Sequence, residues 1–523
     1  MKRLTTAGLR LMFLGLAMVS PALSQSSQTF YVKAKMSPDN ENPAITTSSA
    51  TGSARARVTV NRDAGGTITS GVVIFDVSYQ FGRSVTLTGF HIHDGAVGVN
   101  GPVVINSGLT STPEPDGTGS LSFTTPSLTT AAQLAALTGL VATPHLYYIN
   151  LHTTDNPGGE IRGQCTSETF FYKATMLSSN EVPPIAGLNA SASVLVTLDV
   201  TRDSSSGAIT SGAIMFDASY QFPTGVTFTG FHIHTGAAGV NGPVVLDSRT
   251  SGVVSDATGI GRLTRIISLP TTQTVLDALK AVIANPSGHY INLHTTVNPG
   301  GAVRAQLSDG QQFTSIPSVL DDGTFRSNLG IQNLTNMAST VVVNVAGPTG
   351  AGSEMTVAIP PRGFVQLLNV NSLFGVGTRG VVHLDPDEHV VAFVSTIENA
   401  TNIPFIIPMN SKGPRLAIAA VSNLGGRYLS SLVVANEGRA EATVVIRARD
   451  SSGAAGDQLL AVSIPAGGFF YRPDILAALG IPDGFGPLEI RSTNGQPISA
   501  QSLVVSATAG TANRGAVMPG TDF

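Results

Sequence analysis

Six histidines carry the pattern with the most chemical content. His91 and His93 stand two apart in Gly89-Phe90-His91-Ile92-His93, and 141 residues later the same types return as Gly230-Phe231-His232-Ile233-His234. A third histidine, His152 in Tyr148-Ile149-Asn150-Leu151-His152-Thr153-Thr154, recurs as His294 in Tyr290-Ile291-Asn292-Leu293-His294-Thr295-Thr296. An extended chain sends successive side chains to opposite faces. His91 and His93 therefore share one face while Phe90 and Ile92 take the other. Tyr148, Asn150 and His152 likewise oppose Ile149 and Leu151. If the two strands are neighbours, three imidazoles converge in each repeat, and three imidazoles suit copper or zinc. The competing reading is a His–Asn–Thr hydrogen-bonding network at a sheet end that holds no ion. Recurrence of the same three positions is what lifts the metal reading above that of an isolated His-x-His.

The other histidines do not fit the pattern. His145 and His289 do not correspond in the two copies, and His383 and His389 flank the charged turn Asp385-Pro386-Asp387-Glu388, which reads as solvated. Arg162 and Arg304 follow the Asn-Pro-Gly-Gly turns and are expected to pair with a surface carboxylate such as Asp76 or Asp217. No Gly-x-Ser-x-Gly elbow, phosphate-binding loop or His-Glu-x-x-His appears, so no catalytic residue is assigned.

The elements that position the histidines are written twice. Val99-Asn100-Gly101-Pro102-Val103-Val104 returns at 240–245, Asn156-Pro157-Gly158-Gly159 at 298–301, and Ile74-Phe75-Asp76 is matched by Met215-Phe216-Asp217. Two copies of one domain are expected at 28–166 and 169–309. Helical spacing is confined to Thr129–Leu137 and Thr271–Ala284, at corresponding places in the copies, where helices would cover a sheet edge. Beyond Gly310 a fainter repeat relates Ala358-Ile359-Pro360-Pro361-Arg362-Gly363-Phe364 to Ser463-Ile464-Pro465-Ala466-Gly467-Gly468-Phe469. It predicts two immunoglobulin-like β-sandwich modules, 313–412 and 413–523, the alternative being one larger β-domain. The fold class is all-β throughout.

A chain of 523 residues exceeds one hydrophobic core. Charged residues are only 12 % and the formal net charge is −4, which excludes an electrostatic partner such as nucleic acid. Lys2 and Arg3, the apolar run Leu9 to Val19 and the small residues ending at Ser24 read as a signal peptide over 1–24. That run falls short of the roughly 20 residues a membrane span needs, so no span is expected after cleavage. The expected location is secreted, periplasmic or in the cell envelope. Cys165 is the single cysteine, and no intramolecular disulfide can form.

The His-Ile-His-x-Gly-x-x-Gly-x-Asn-Gly-Pro-Val-Val block, the Asn-Leu-His-Thr…Asn-Pro-Gly-Gly…Arg-x-Gln block and the opening Asn40-Glu41-Asn42-Pro43 and Asn180-Glu181-Val182-Pro183 resemble the chordin-type (CHRD) domain. The resemblance implies two tandem Greek-key-like β-sandwich or barrel domains. Gly-Phe-His-Ile-His is also similar to the copper-ligand strand of copper–zinc superoxide dismutases. That likeness implies copper ligands at His91, His93 and His152, and at His232, His234 and His294. The second copy departs at Ala302 and Ala305, where the first has Glu160 and Gly163. The loop Asp94–Gly101 has no histidine for a second metal, which argues against dismutase chemistry. The leading expectation is an exported, non-catalytic binding or scaffold protein that requires no cofactor and engages an extracellular, envelope or matrix partner. The alternative is a copper-binding protein with one three-histidine site per domain, for storage, delivery or dismutase-like redox chemistry.

Overall fold

The computed structural model describes residues 26–522, apart from 204–205, 251, 256, 310–314, 425–427, 439, 450–454, 482 and 507–515. The expected signal peptide lies outside the described residues. Among them, no helix is long and apolar enough to cross a membrane. The chain is all-β, as its composition implies.

The first repeat comprises β1 (Ser26–Met36), β2 (Thr51–Arg62), β3 (Ile68–Gln80), β4 (Val85–Asp94), β5 (Val103–Asn106), β6 (Thr112–Glu114), β7 (Thr118–Thr124), α1 (Ala131–Ala142), β8 (Tyr147–Thr153) and β9 (Ile161–Gln164). One sheet runs β1-β2-β3-β7 and the other β5-β4-β8-β9, with β6 beside β4. Between them lie Val73, Phe75, Val77 and Tyr79 of β3, Phe90 and Ile92 of β4, and Ile149 and Leu151 of β8. A slip of β4 by one residue would exchange Phe90 and Ile92 for His91 and His93. Losing two fully buried side chains costs roughly 3–6 kcal/mol, so the core itself holds the histidines on the outer face. The helix α1 covers β3: a Cβ on Gly71 would lie 2.6 Å from Leu137 Cδ1. It starts from a capping box, Thr130 Oγ1 accepting from Gln133 N and Gln133 Oε1 from Thr130 N. It runs five residues past the expected Leu137, because Leu140 is also buried in the core.

The second repeat has the same plan: β10 (Glu168–Leu177), β11 (Ser191–Arg202), β12 (Ile209–Gln221), β13 (Thr227–Thr235), β14 (Val244–Asp247), β15 (Val253–Val254), β16 (Ile260–Ser268), α2 (Gln273–Ala284), β17 (His289–Thr295), β18 (Val303–Gln306) and β19 (Ser308–Asp309). Its strands run β14-β13-β17-β18-β10-β11-β12-β16 as one sheet, the two halves joined between β18 and β10 by the pair Leu177↔Arg304. The first repeat has the isolated bridge Ser37↔Arg162 at the corresponding place.

Downstream, strands Ser315–Leu320, Arg379–Pro386, Ser339–Ala346 and Gly352–Ile359 form one sheet, facing another of Phe364–Leu367, Phe325–Asn333, Val390–Glu398 and Pro404–Pro408. Val341, Val343, Val394 and Ile407 fill the space between them. Beyond residue 413 a separate core gathers Leu416, Ile418, Leu432, Val434, Ile446 and Ile490.

The charged turn at 385–388, expected to be solvated together with His383 and His389, is exposed at Asp385, whose side chain is 53 % accessible, and half-buried at His383, but not beyond. Asp387 and Glu388 are fully buried and His389 nearly so. Asp387 accepts from Ser53 Oγ (2.6 Å) of the first repeat and from Ser339 Oγ (2.8 Å) and Thr340 Oγ1 (2.5 Å) beside it. Lys35 pairs with Glu388, and Arg55 and Lys33 reach Asp385 at 2.7 and 2.8 Å. On the second repeat, His389 Nε2 meets the Val196 carbonyl (3.3 Å) and its ring packs edge-on against Phe171. Cations more than 300 residues away in sequence make this burial possible, and no local pattern announces them.

Candidate metal centre

The outer face of the β5-β4-β8-β9 sheet carries the site. Antiparallel register sets His91 opposite Asn150, His93 opposite Tyr148 and Gly89 opposite His152. In the second repeat, His232 faces Asn292, His234 faces Tyr290 and Gly230 faces His294. A register shift immediately before Gly89, repeated before Gly230, turns the polar residues outward. Glycine is required there for a second reason. A Cβ on Gly89 would lie 2.5 Å from His91 Cε1, and one on Gly230 2.4 Å from His232 Cε1. The ring of the first histidine thus folds back over the glycine toward the other two.

The three rings cluster in both repeats. Centroid separations are 4.9 Å (His91–His152), 5.7 Å (His91–His93) and 5.6 Å (His93–His152), and the second triad repeats all three values. One nitrogen from each ring lies within 4.8 Å of the other two. A point shared by three such atoms is at most about 2.8 Å from each, against 2.0–2.1 Å for an imidazole–metal bond. The tautomers follow from the partners. His93 Nδ1 faces the Gly101 carbonyl and His152 Nδ1 the Pro157 carbonyl, both at 3.0 Å, so each Nδ1 carries the proton and each Nε2 is a free lone pair. Gly242 and Pro299 do the same for His234 and His294. His91 Nδ1, His93 Nε2 and His152 Nε2 are buried without a hydrogen-bond partner, as are His232 Nδ1, His234 Nε2 and His294 Nε2.

Burial, with repulsion from His152 and His93, depresses His91 to about 4, and burial is also the main cause of a value near 4 at His232. Burial lowers the other four as well. All six rings are neutral near pH 7, the form that binds metal.

Residues 32–165 and 172–307 each match the family model of the CHRD domain. The two matches cover more than half of the chain. It belongs to the CHRD domain family. A comparison with curated proteins gives no match.

In both CHRD domains the triad is backed by an aromatic–guanidinium stack. Tyr148 stacks on His93 (4.7 Å, 12°) and Arg162 lies 3.5 Å from the Tyr148 ring centre; Tyr290, His234 and Arg304 reproduce this at 4.7 and 3.4 Å. The expectation that these arginines pair with Asp76 or Asp217 is therefore corrected. Arg162 donates to Asn100 Oδ1 (3.1 Å) and to the Ala96 (3.1 Å) and Val99 (2.7 Å) carbonyls, pinning the loop whose Gly101 orients His93. Arg304 holds Asn241, Ala237 and Val240 in the same way. Asp76 and Asp217 instead accept from Thr356 and Asn336 of the following module.

Three further carboxyl groups stand in the sequence only as parts of the repeated motifs, which do not assign them to the site. Glu41 and Glu181, in the opening motif, sit beside Asn150 and Asn292, and burial pushes each up to about 7. Glu160 accepts from Ser48 (2.9 Å), Thr153 (2.7 Å) and Arg83 (2.7 Å), bracing the turn that carries the Pro157 carbonyl. Ala302 stands in its place in the second domain. His145 and His289 belong to neither triad.

Proposed function

We propose that this chain is a copper-binding protein of the cell exterior or envelope, holding one ion per CHRD domain. The observation that carries the reading is the set of six buried imidazole nitrogens without a partner among the described residues, one on each ring of two clusters whose rings each bring a nitrogen within 4.8 Å of the other two. A buried polar atom left without a partner costs about 1–3 kcal/mol, and here the same three recur in two domains. Nitrogen donors suit several divalent ions, among which copper(II) heads the affinity order. His93 and His152 are held by backbone carbonyls, and the partly exposed His91 closes the set from the solvent side. The bound ion would supply Lewis acidity and one-electron chemistry; the chain supplies neutral donors in fixed tautomers. Storage or delivery suits this arrangement better than rapid turnover, since the loop Asp94–Gly101 brings no histidine for a second metal. The test is a copper(II) titration of the purified chain, with zinc in parallel. Two tight equivalents are expected, falling to one in His91→Ala and in His232→Ala. Binding indifferent to both substitutions would sink the reading.

A second reading, a scaffold for an extracellular or envelope partner, is supported by the turn at 385–389, which contacts both CHRD domains and holds them in one arrangement. It predicts partner binding that survives loss of all six histidines and fails when this turn is undocked.

A further inference from the structure

Resting on the metal reading, we propose that the two sites are inequivalent: the second CHRD domain holds copper(II) more tightly, because Asp247 stands behind His232 where Asn106 stands behind His91. The register makes these residues equivalent, His91 facing Asn106 across β4 and β5, and His232 facing Asp247 across β13 and β14. Their local conformations also match. Asn106 Oδ1 accepts from Gly108 N at 2.8 Å, and Asp247 Oδ1 accepts from Arg249 N at 2.7 Å. What differs is charge. Asp247 Oδ1 lies 3.3 Å from His232 Nε2, at the outer edge of hydrogen bonding.

Chemistry at the other ring nitrogen gives that contact its meaning. His232 Nδ1 is the buried ring nitrogen without a partner while Nε2 meets Asp247, so an ion held on Nδ1 leaves the ring proton on Nε2, beside the carboxylate. A carboxylate behind a ligand imidazole fixes its orientation and strengthens it as a donor, typically a 10–100-fold effect on metal affinity. The Asp247 side chain is 55 % exposed, and solvent screening places the expected advantage at the lower end, about tenfold. The first site has only a neutral amide at this position.

Two other differences between the domains do not offset this one. Glu160 has no counterpart in the second domain, but its charge is met by Arg83 at 2.7 Å, and its hydrogen bonds run to Ser48 and Thr153 rather than to a ring of the triad. Arg265 lies near the Asp247 turn, donating to the Ser248 and Arg249 carbonyls, but its charge is paired with Asp39 at 3.0 Å. The ring separations are otherwise the same in both triads.

The test isolates each site in the full chain and measures copper(II) affinity against a chromophoric chelator. The His91→Ala chain, which keeps only the second site, should bind about tenfold more tightly than the His232→Ala chain. Adding Asp247→Asn to the former should abolish the advantage, and adding Asn106→Asp to the latter should confer it. The gain in the second arm cannot come from misfolding. Equal affinities in the two single-site chains, or no effect of Asp247→Asn, would overturn the inequivalence and leave the metal reading standing. Absence of copper binding in every chain would overturn both.

Discussion

The guanidinium of Arg162 sits 3.5 Å from the centre of the Tyr148 ring, and through that ring it governs His93. The same arginine ties down the loop whose Gly101 carbonyl sets the His93 tautomer. A desolvated cation–π contact contributes about 2 kcal/mol and hydrogen bonds to a charged group about 1.5–3 kcal/mol each. These contributions are not additive, and Arg162→Ala should cost roughly 3–5 kcal/mol of domain stability, the upper range for a single substitution, read as a lower denaturation midpoint. Copper binding at the first site should weaken with it. Arg162→Lys separates the two roles: the charge remains, but one ammonium cannot reach Asn100, Ala96 and Val99 in a fork. It should retain most of the stability and still lose affinity, measured in a His232→Ala background.

Gly89 tests the geometry of the triad more directly. An added methyl would overlap the His91 ring, whose Cε1 and Nε2 would lie 2.5 and 3.2 Å away. The obstructed group is the free end of a side chain, so the ring should swing outward while the strand stays in place. Gly89→Ala is expected to lower metal affinity at the first site by at least about tenfold with less than about 1 kcal/mol change in stability. A titration paired with a denaturation curve checks both. Loss of folding without selective loss of the site would contradict the overlap argument.

How much of this was legible in the sequence depends on the range of the interaction. Period-two alternation in Phe90-His91-Ile92-His93 and Tyr148 to His152 places the histidines on outer faces, because core burial alone fixes that register. Duplication then singles out three histidines in each copy. The function of Arg162 was not legible. An arginine on a strand is more often a surface partner of a carboxylate, and only the folded-back loop at 94–101 supplies the carbonyls that bury it. The turn at 385–389 misled for a related reason. Four charged or titratable residues in a Pro-containing turn look solvated until Lys33, Lys35 and Arg55 arrive from the first domain.

That docking makes its own prediction. Lys35 and Glu388 are both buried, and removing Glu388, although burial pushes it up to about 8, takes away the carboxyl group that acts most strongly on Lys35 and leaves Asp387 and Asp199 as its partners, at up to about 3–5 kcal/mol. Glu388→Ala should detach the 313–412 region from the first CHRD domain without unfolding either one, since each has its own core. Limited proteolysis and solution scattering should show a looser particle, while copper stoichiometry stays at the wild-type value. An unchanged particle would mean that the pair adds nothing to docking.

His383 gives the interface of the two C-terminal modules a pH dependence opposite to that of the triads. Its Nδ1 faces a Glu437 carboxylate oxygen at 3.0 Å and its Nε2 the Gly467 carbonyl at 3.3 Å, so both nitrogens meet acceptors. Burial works against the charged ring, but the Glu437 carboxylate and Gly467 carbonyl outweigh it and raise His383 above its ordinary 6.5. A raised value in the folded state means that the contribution is complete below pH 6.5 and is lost as pH rises through the folded value. The triad histidines have depressed values, so without metal their contribution is complete above 6.5 and is lost as pH falls through their lowered values, about 4 for His91 and His232. Hydrogen exchange around Glu437 and Gly467 should accordingly quicken, beyond its intrinsic pH dependence, from pH 6 to pH 9 in the wild type. In His383→Gln, where nothing titrates at that position, exchange should already be fast at pH 6 and show no such added rise. A wild-type profile equal to that of His383→Gln across this range would show that the ring is not held as a cation between its two acceptors.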